Sequence, residues 1–249
     1  MTLEENGVGS NPLPVTRMHV PWTLKDMAWA LVATVMFSVL GVMVAGLVAG
    51  AILLIGRGGL ALERYMALVM VLVLSSEGLL LVPSWVWGPA KYGGGWRALG
   101  LRRGKPWTAL ALMALAVVVI IGVNVLWELL RERLGWPDQA DLSQFLGDGL
   151  GSFLLAVLMG GVLAPLAEEV FFRGYIYAGL RARWGVSWGL VASSLLFACA
   201  HLSPATIPPL FVMGLLLAYV YERSDSLWPS IILHMLNNTA AFIIVYVAA

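Results

Sequence analysis

Apolar runs long enough to cross a bilayer recur along most of this chain, and they limit what it can fold into. About 20 apolar residues span the hydrocarbon core as a helix. Runs with few or no charges lie at roughly 27–55, 65–90, 107–127, 152–180, 186–203, 206–221 and 228–248, with a Ser203-Pro204 turn between the short fifth and sixth. The expected fold is therefore all-α, a polytopic membrane helix bundle with about seven transmembrane helices. Composition agrees: 60% of the 249 residues are hydrophobic and 12% charged, against about 25% charged in soluble domains. Residues 1–26 read as a polar N-terminal tail containing Pro12, Pro14 and Pro21, without the short apolar core and cleavage site of a secretory signal. Residues 27–249 read as a single transmembrane domain. A net charge of +1 gives no argument for nucleic acid, and one cysteine, Cys199, permits no intramolecular disulfide.

Tryptophan and the basic residues mark the span ends. Trp22, Trp29, Trp85, Trp87, Trp107, Trp127, Trp184, Trp188 and Trp228 fall near them, where an indole sits at headgroup level. With the N-terminus inside, the inner segments hold Arg17, Lys25, Lys91, Arg97, Arg102, Arg103, Lys105, Arg181, Arg183 and Arg223, and the outer ones Arg57, Arg64, Arg131 and Arg133. That bias predicts a cytoplasmic N-terminus. The 91–105 run either touches anionic lipid or serves only as a topology signal. The segment 128–148, with Glu128, Glu132, Asp138, Asp141 and Asp148, reads as a solvated outer connection.

Carboxylates within the apolar runs are the exception to be explained. A charge at the bilayer centre costs about 3 kcal/mol on insertion scales, so such residues face a protein interior. Glu168 and Glu169 lie together in the fourth run, and Arg173 follows Glu169 by one helical turn on the same face. Glu168 points about 100° away, which leaves one carboxylate to pair with arginine and its neighbour for chemistry. Glu77 in the second run is a pathway residue, a snorkelling one or a partner for a neighbouring helix. His201 ends the fifth run in Phe197-Ala-Cys-Ala-His201, and His234-Met-Leu-Asn-Asn238 lies in the seventh. Asn238 shares a face with His234, and Asn237 can share it too. Cys199 falls on roughly the opposite face from His201, as a small packing residue. His19 is a solvated residue of the tail.

Counted at about 1.5 Å per residue from the inner boundary, Glu168, His201, His234 and Asn238 all reach the middle-to-outer half of the bilayer, so one pocket can hold them. A buried carboxylate is a stronger base than in water. Beside an imidazole it can take a proton from water, while a second imidazole and an amide N–H suit an oxyanion, each donor worth about 3–4 kcal/mol. Taken singly, each group also has a structural reading. Membrane histidines and asparagines bond helices together, and Glu169–Arg173 is most simply a structural pair.

Glu168-Glu169-x-x-x-Arg173, Phe197-x-x-x-His201 and His234-x-x-x-Asn238, in that order on three apolar segments, resemble the motifs of the CAAX prenyl protease and bacteriocin-processing (CPBP) family of intramembrane proteases; Gly174-Tyr175 is similar to the family's continuation. The resemblance covers about 150–245, the expected protease core. It implies an endopeptidase acting on a membrane-associated or exported protein or peptide, in which Glu168 and His201 activate water, His234 and Asn238 hold the oxyanion, and Glu169 with Arg173 supports the site. Eukaryotic members look as though they carry one further span beyond the third motif. A metal-free, glutamate-dependent mechanism is favoured over zinc, because no His-Glu-x-x-His occurs. Gly-x-Ser-x-Gly is absent, and Leu146-Gly-Asp148 only looks like an aspartyl-protease motif. The expected setting is a bacterial inner (plasma) membrane. The rival readings are a catalytically silent relative acting in immunity or as a scaffold, and a transporter, which the lack of an inverted repeat disfavours.

Overall fold

A computed structural model describes residues 20–55, 78–136 and 149–248, and every regular element among them is a helix. The long ones are α1 (Leu24–Ile55), α2 (Pro106–Leu134), α3 (Leu150–Ala200), α4 (Ile207–Ser224) and α5 (Trp228–Ala248). Glu77, His19 and the stretch containing Asp138, Asp141, Asp148 and Leu146-Gly-Asp148 lie outside the described residues, as does much of the expected second span.

Four of these helices, α1, α2, α3 and α5, are long and apolar enough to cross a bilayer. The 51-residue α3 holds two of the expected spans. They meet at Gly185, whose φ of 78° breaks the helix, and a residue without Cβ takes that conformation at no steric cost. Local chemistry sets the other ends. Pro106 opens α2, and Gly135 closes it in the left-handed conformation. Thr23 and Asp26 cap α1 reciprocally: the Asp26 carboxylate accepts from the Thr23 amide at 2.7 Å, and the Asp26 amide donates to the Thr23 hydroxyl at 3.2 Å.

One end of the bundle gathers the basic residues. The Leu227 amide donates to the Gly100 carbonyl (2.9 Å) and the Lys105 amide to the Ser224 carbonyl (2.8 Å), stitching the segment before α2 to the α4–α5 turn. Lys105 pairs with Asp225 at 3.1 Å, and Arg181 of α3 pairs with Glu222 of α4 at 2.7 Å. Lys91 reaches Asp26 at 2.5 Å, and that carboxylate holds the lysine ammonium above its ordinary range. Close approach here depends on Gly174, where a Cβ would stand 2.6 Å from the Leu99 carbonyl oxygen. Gly174→Ala is expected to lower stability by about 1–3 kcal/mol as an overpacked contact, read as a lower unfolding midpoint in detergent.

Two expectations shift in this region. Val20 and Trp22, assigned to the polar tail, are buried; Trp22 is 0% exposed. Its indole N–H donates to the Tyr175 carbonyl at 3.1 Å, and its ring stacks on Tyr175 with centroids 5.1 Å apart. The headgroup position expected for this tryptophan therefore gives way to a core position. Trp29, Trp107, Trp184, Trp188 and Trp228 do keep exposed rings. Truncating Trp22 to alanine should cost about 3–5 kcal/mol, as for other buried aromatics, and the same melting measurement reads it.

Candidate active site

The site begins with a disturbance in α3. Residues Val157–Leu163 and Val170–Tyr177 are wound as wider π-helical turns on either side of Ala164–Glu169, a feature common at functional sites. Pro165 supplies part of the cause. The Ala164 amide bonds back five residues to the Met159 carbonyl, so the next bond in that series would run from residue 165 to Gly160. Proline has no N–H to make it. The Gly160 carbonyl is instead met by the Asn238 carboxamide of α5, whose nitrogen donates to it at 3.3 Å. The two helices come this close because position 161 is glycine: a Cβ there would stand 2.8 Å from the Thr239 hydroxyl.

Below Asn238 lies a fully buried charge network. The Arg173 guanidinium donates to Glu169 at 2.6 Å, with both side chains at most 1% exposed. Glu169 also meets His234, whose Nδ1 lies 2.9 Å from the same carboxylate oxygen. The opposite ring nitrogen of His234, Nε2, is 3.7 Å from Glu168. Phe197 forms the floor: the Arg173 guanidinium lies 4.1 Å over its ring, and His201 and His234 pack against it with centroids 5.0 and 5.7 Å away. The phenylalanine four residues before His201 is thus a cation–π seat for the buried arginine and a spacer for both imidazoles.

Above the network is a cavity of about 890 Å³ bounded by α2, α3, α4 and α5. Glu168, His201, Asn237 and Asn238 line it. The Asn237 carboxamide nitrogen donates to the Asn238 oxygen at 3.2 Å, so both asparagines, left as alternatives by spacing, face the cavity as a coupled pair. The His201 Nδ1 lies 2.9 Å from the Phe197 carbonyl. A carbonyl only accepts, so Nδ1 carries a proton, and in the tautomer this fixes Nε2 is the acceptor. His234, expected as an oxyanion donor, is placed beside the cavity lining rather than in it. It is 2% exposed, its ring nitrogens face Glu169 and Glu168, and it does not line the cavity. The reason is register: one turn along α5 separates the network from the cavity floor.

Sequence reasoning missed the wall formed by α2. The solvated connection expected from residue 128 is helical to Leu134, and Asn124, Glu128 and Arg131 line the cavity. Arg131 is buried and bonded to Glu128, and its guanidinium reaches the Trp136 carbonyl at 3.1 Å. The Trp127 indole donates to the Ala205 carbonyl at 2.7 Å, tying this wall to the α3–α4 turn. The spacing 124, 128, 131 places all three on one helical face, the signal that could have found them. Cys199 lies on the other side of α3 from His201, as expected, but is exposed in an apolar groove with Leu24, Met27 and Ile176 rather than packed. Among the described residues, no three His, Cys, Asp or Glu side chains converge as a metal-ligand group.

The fold and site together define an integral membrane protein, built of helices, that encloses a carboxylate, an imidazole and a carboxamide around one cavity. Residues 150–240, which carry all three motifs, match the family model of Type II CAAX prenyl endopeptidase Rce1-like proteins. This match covers the same stretch as the family resemblance carried by the three motifs. The chain is similar to an "Uncharacterized 24.3 kDa protein" of Escherichia coli, 32% identical over 142 residues that make up 55% of this chain and 62% of the relative. It is also similar to the "Putative membrane peptidase YdiL" of Bacillus subtilis (strain 168), 24% identical over 105 residues, 42% of this chain and 43% of that one. The chain thus spans less than two thirds of the length of these curated relatives. No solved structure matches it.

Proposed function

We propose that this protein is a glutamate-dependent intramembrane endopeptidase that cleaves a membrane-associated or exported protein or peptide by direct attack of water. The observation that carries the proposal is the cavity lined at once by Glu168, His201 and Asn238 inside the helix bundle. In the proposed step, a water held between the Glu168 carboxylate and His201 Nε2 gives its proton to Glu168, and its oxygen bonds to the scissile carbonyl carbon. The carbonyl oxygen becomes an oxyanion, and the Asn238 N–H not spent on Gly160 stabilises it. The C–N bond then breaks as Glu168 returns the proton to the leaving nitrogen. His234 acts one step behind, holding Glu168 against the Glu169–Arg173 pair.

The scheme uses no metal. Activity should therefore survive dialysis against a chelator, measured as unchanged substrate turnover after metal removal. The partners in this reading are the lipid bilayer and a membrane protein or peptide substrate, with no nucleic acid, in a bacterial inner (plasma) membrane with the N-terminus cytoplasmic. The deciding experiment compares membrane and secreted peptidomes of a Glu168→Gln strain and its parent. The reading expects a defined set of termini to vanish in the variant. Identical peptidomes from strains making equal amounts of protein would sink it in favour of a silent relative.

A further inference from the structure

The cavity occupies one half of the bundle, and it is the half away from the basic residues. On α2 its lining begins at Ile120, about 21 Å along the helix from Pro106 at a rise of 1.5 Å per residue. On α4 the lining ends at Met213, about 16 Å short of Ser224 by the same rise. Pro106 and Ser224 both sit at the end stitched together around Lys105, Asp225 and Gly100. At the other end the described basic residues are Arg131 and Arg133, and Arg131 is paired with Glu128. His201 and Leu202 are exposed where the α3–α4 turn meets this end of the cavity.

A sequence expectation and a structural observation now combine. The lysine and arginine bias predicts that the basic end is cytoplasmic, and the helix registers place the cavity in the opposite half. We infer that the cavity opens to the non-cytoplasmic face and receives its peptide from there. The polar strip Asn124, Glu128 and Arg131 runs from that face towards Glu168, and it gives water and a peptide backbone polar partners on the way in. Resting on the protease reading, this narrows the substrate class to exported peptides and to outward-facing segments of membrane proteins. Peptides that stay in the cytosol are excluded.

The test reads sidedness without reading activity. In a Cys199→Ser background of the full chain, Ser203→Cys and Thr206→Cys report on the cavity mouth and Arg97→Cys on the basic end. Intact cells are treated with a membrane-impermeant maleimide, before and after permeabilisation. The expected result is labelling of Ser203→Cys or Thr206→Cys in intact cells and of Arg97→Cys only after permeabilisation. The reverse pattern overturns the inference. So does failure of both mouth cysteines to react with a permeant maleimide in permeabilised cells, since the cavity is then closed to water. The expected labelling combined with an unchanged Glu168→Gln peptidome would sink the protease reading while leaving the sidedness intact.

Discussion

Replacing Glu169 with glutamine is expected to destabilise the folded protein by about 3–5 kcal/mol, the range for breaking a buried pair by removing one partner. The carboxylate is 0% exposed and holds both Arg173 and His234. Without it the guanidinium keeps its charge in a place no water reaches. Phe197 offers partial compensation, since the guanidinium lies 4.1 Å over its ring, but a desolvated cation–π contact is worth about 2 kcal/mol and already exists in the native protein. The loss of the ion pair wins. The expected observation is a lower unfolding midpoint in detergent and less protein in the membrane. Removing both charges, as Glu169→Leu with Arg173→Leu, should recover part of the loss, because a buried pair exchanged for apolar residues is often near neutral. A Glu169→Gln variant that melts with wild type would mean that the arginine charge is balanced by some other group.

How far the sequence could carry these conclusions depends on what fixes each feature. The helical class follows from apolar runs that need only counting, and the Glu169–Arg173 pair from a one-turn spacing, because local geometry decides both. The π-helical turns did not announce themselves, although Pro165 and Gly160-Gly161 were there to be read. Whether a missing N–H widens a helix depends on a partner such as Asn238, 78 residues away. Trp22 was misjudged for a related reason. Its position near a span end fits a headgroup indole equally well, and only the carbonyl of Tyr175 on a distant helix decides for the core. The α2 wall was missed because Glu128 and Arg131 look like the start of a solvated connection. Bonded to each other on a continuing helix, they form a largely neutral unit that a cavity can contain. His234 shows the limit of depth arguments: a rise per residue gives height in the bundle, but not whether a ring faces the cavity or the network below it.

The other large effect is expected at the neighbouring carboxylate, with the opposite signature. Glu168→Gln keeps the side chain's volume, lines the cavity rather than the sealed network, and leaves Glu169, Arg173 and the 2.9 Å contact to His234 in place. The fold should survive, with an unfolding midpoint close to wild type. Turnover should fall by about 10²–10⁴, the range for a positioned general base, and appear in kcat while KM stays unchanged, since a peptide binds largely through the rest of the cavity. Asn238→Ala is expected to lose about 10²–10³ in kcat as an oxyanion donor. It should also lose some stability, because the Gly160 carbonyl then lacks its donor at 3.3 Å. The decisive comparison is the double variant Glu168→Gln with His201→Ala. If both groups act on one water, the second substitution adds little to the first, because groups acting as a unit are grossly non-additive. If the two losses multiply instead, Glu168 and His201 serve separate steps, and the single activated water gives way to a mechanism in which His201 acts on the leaving group alone.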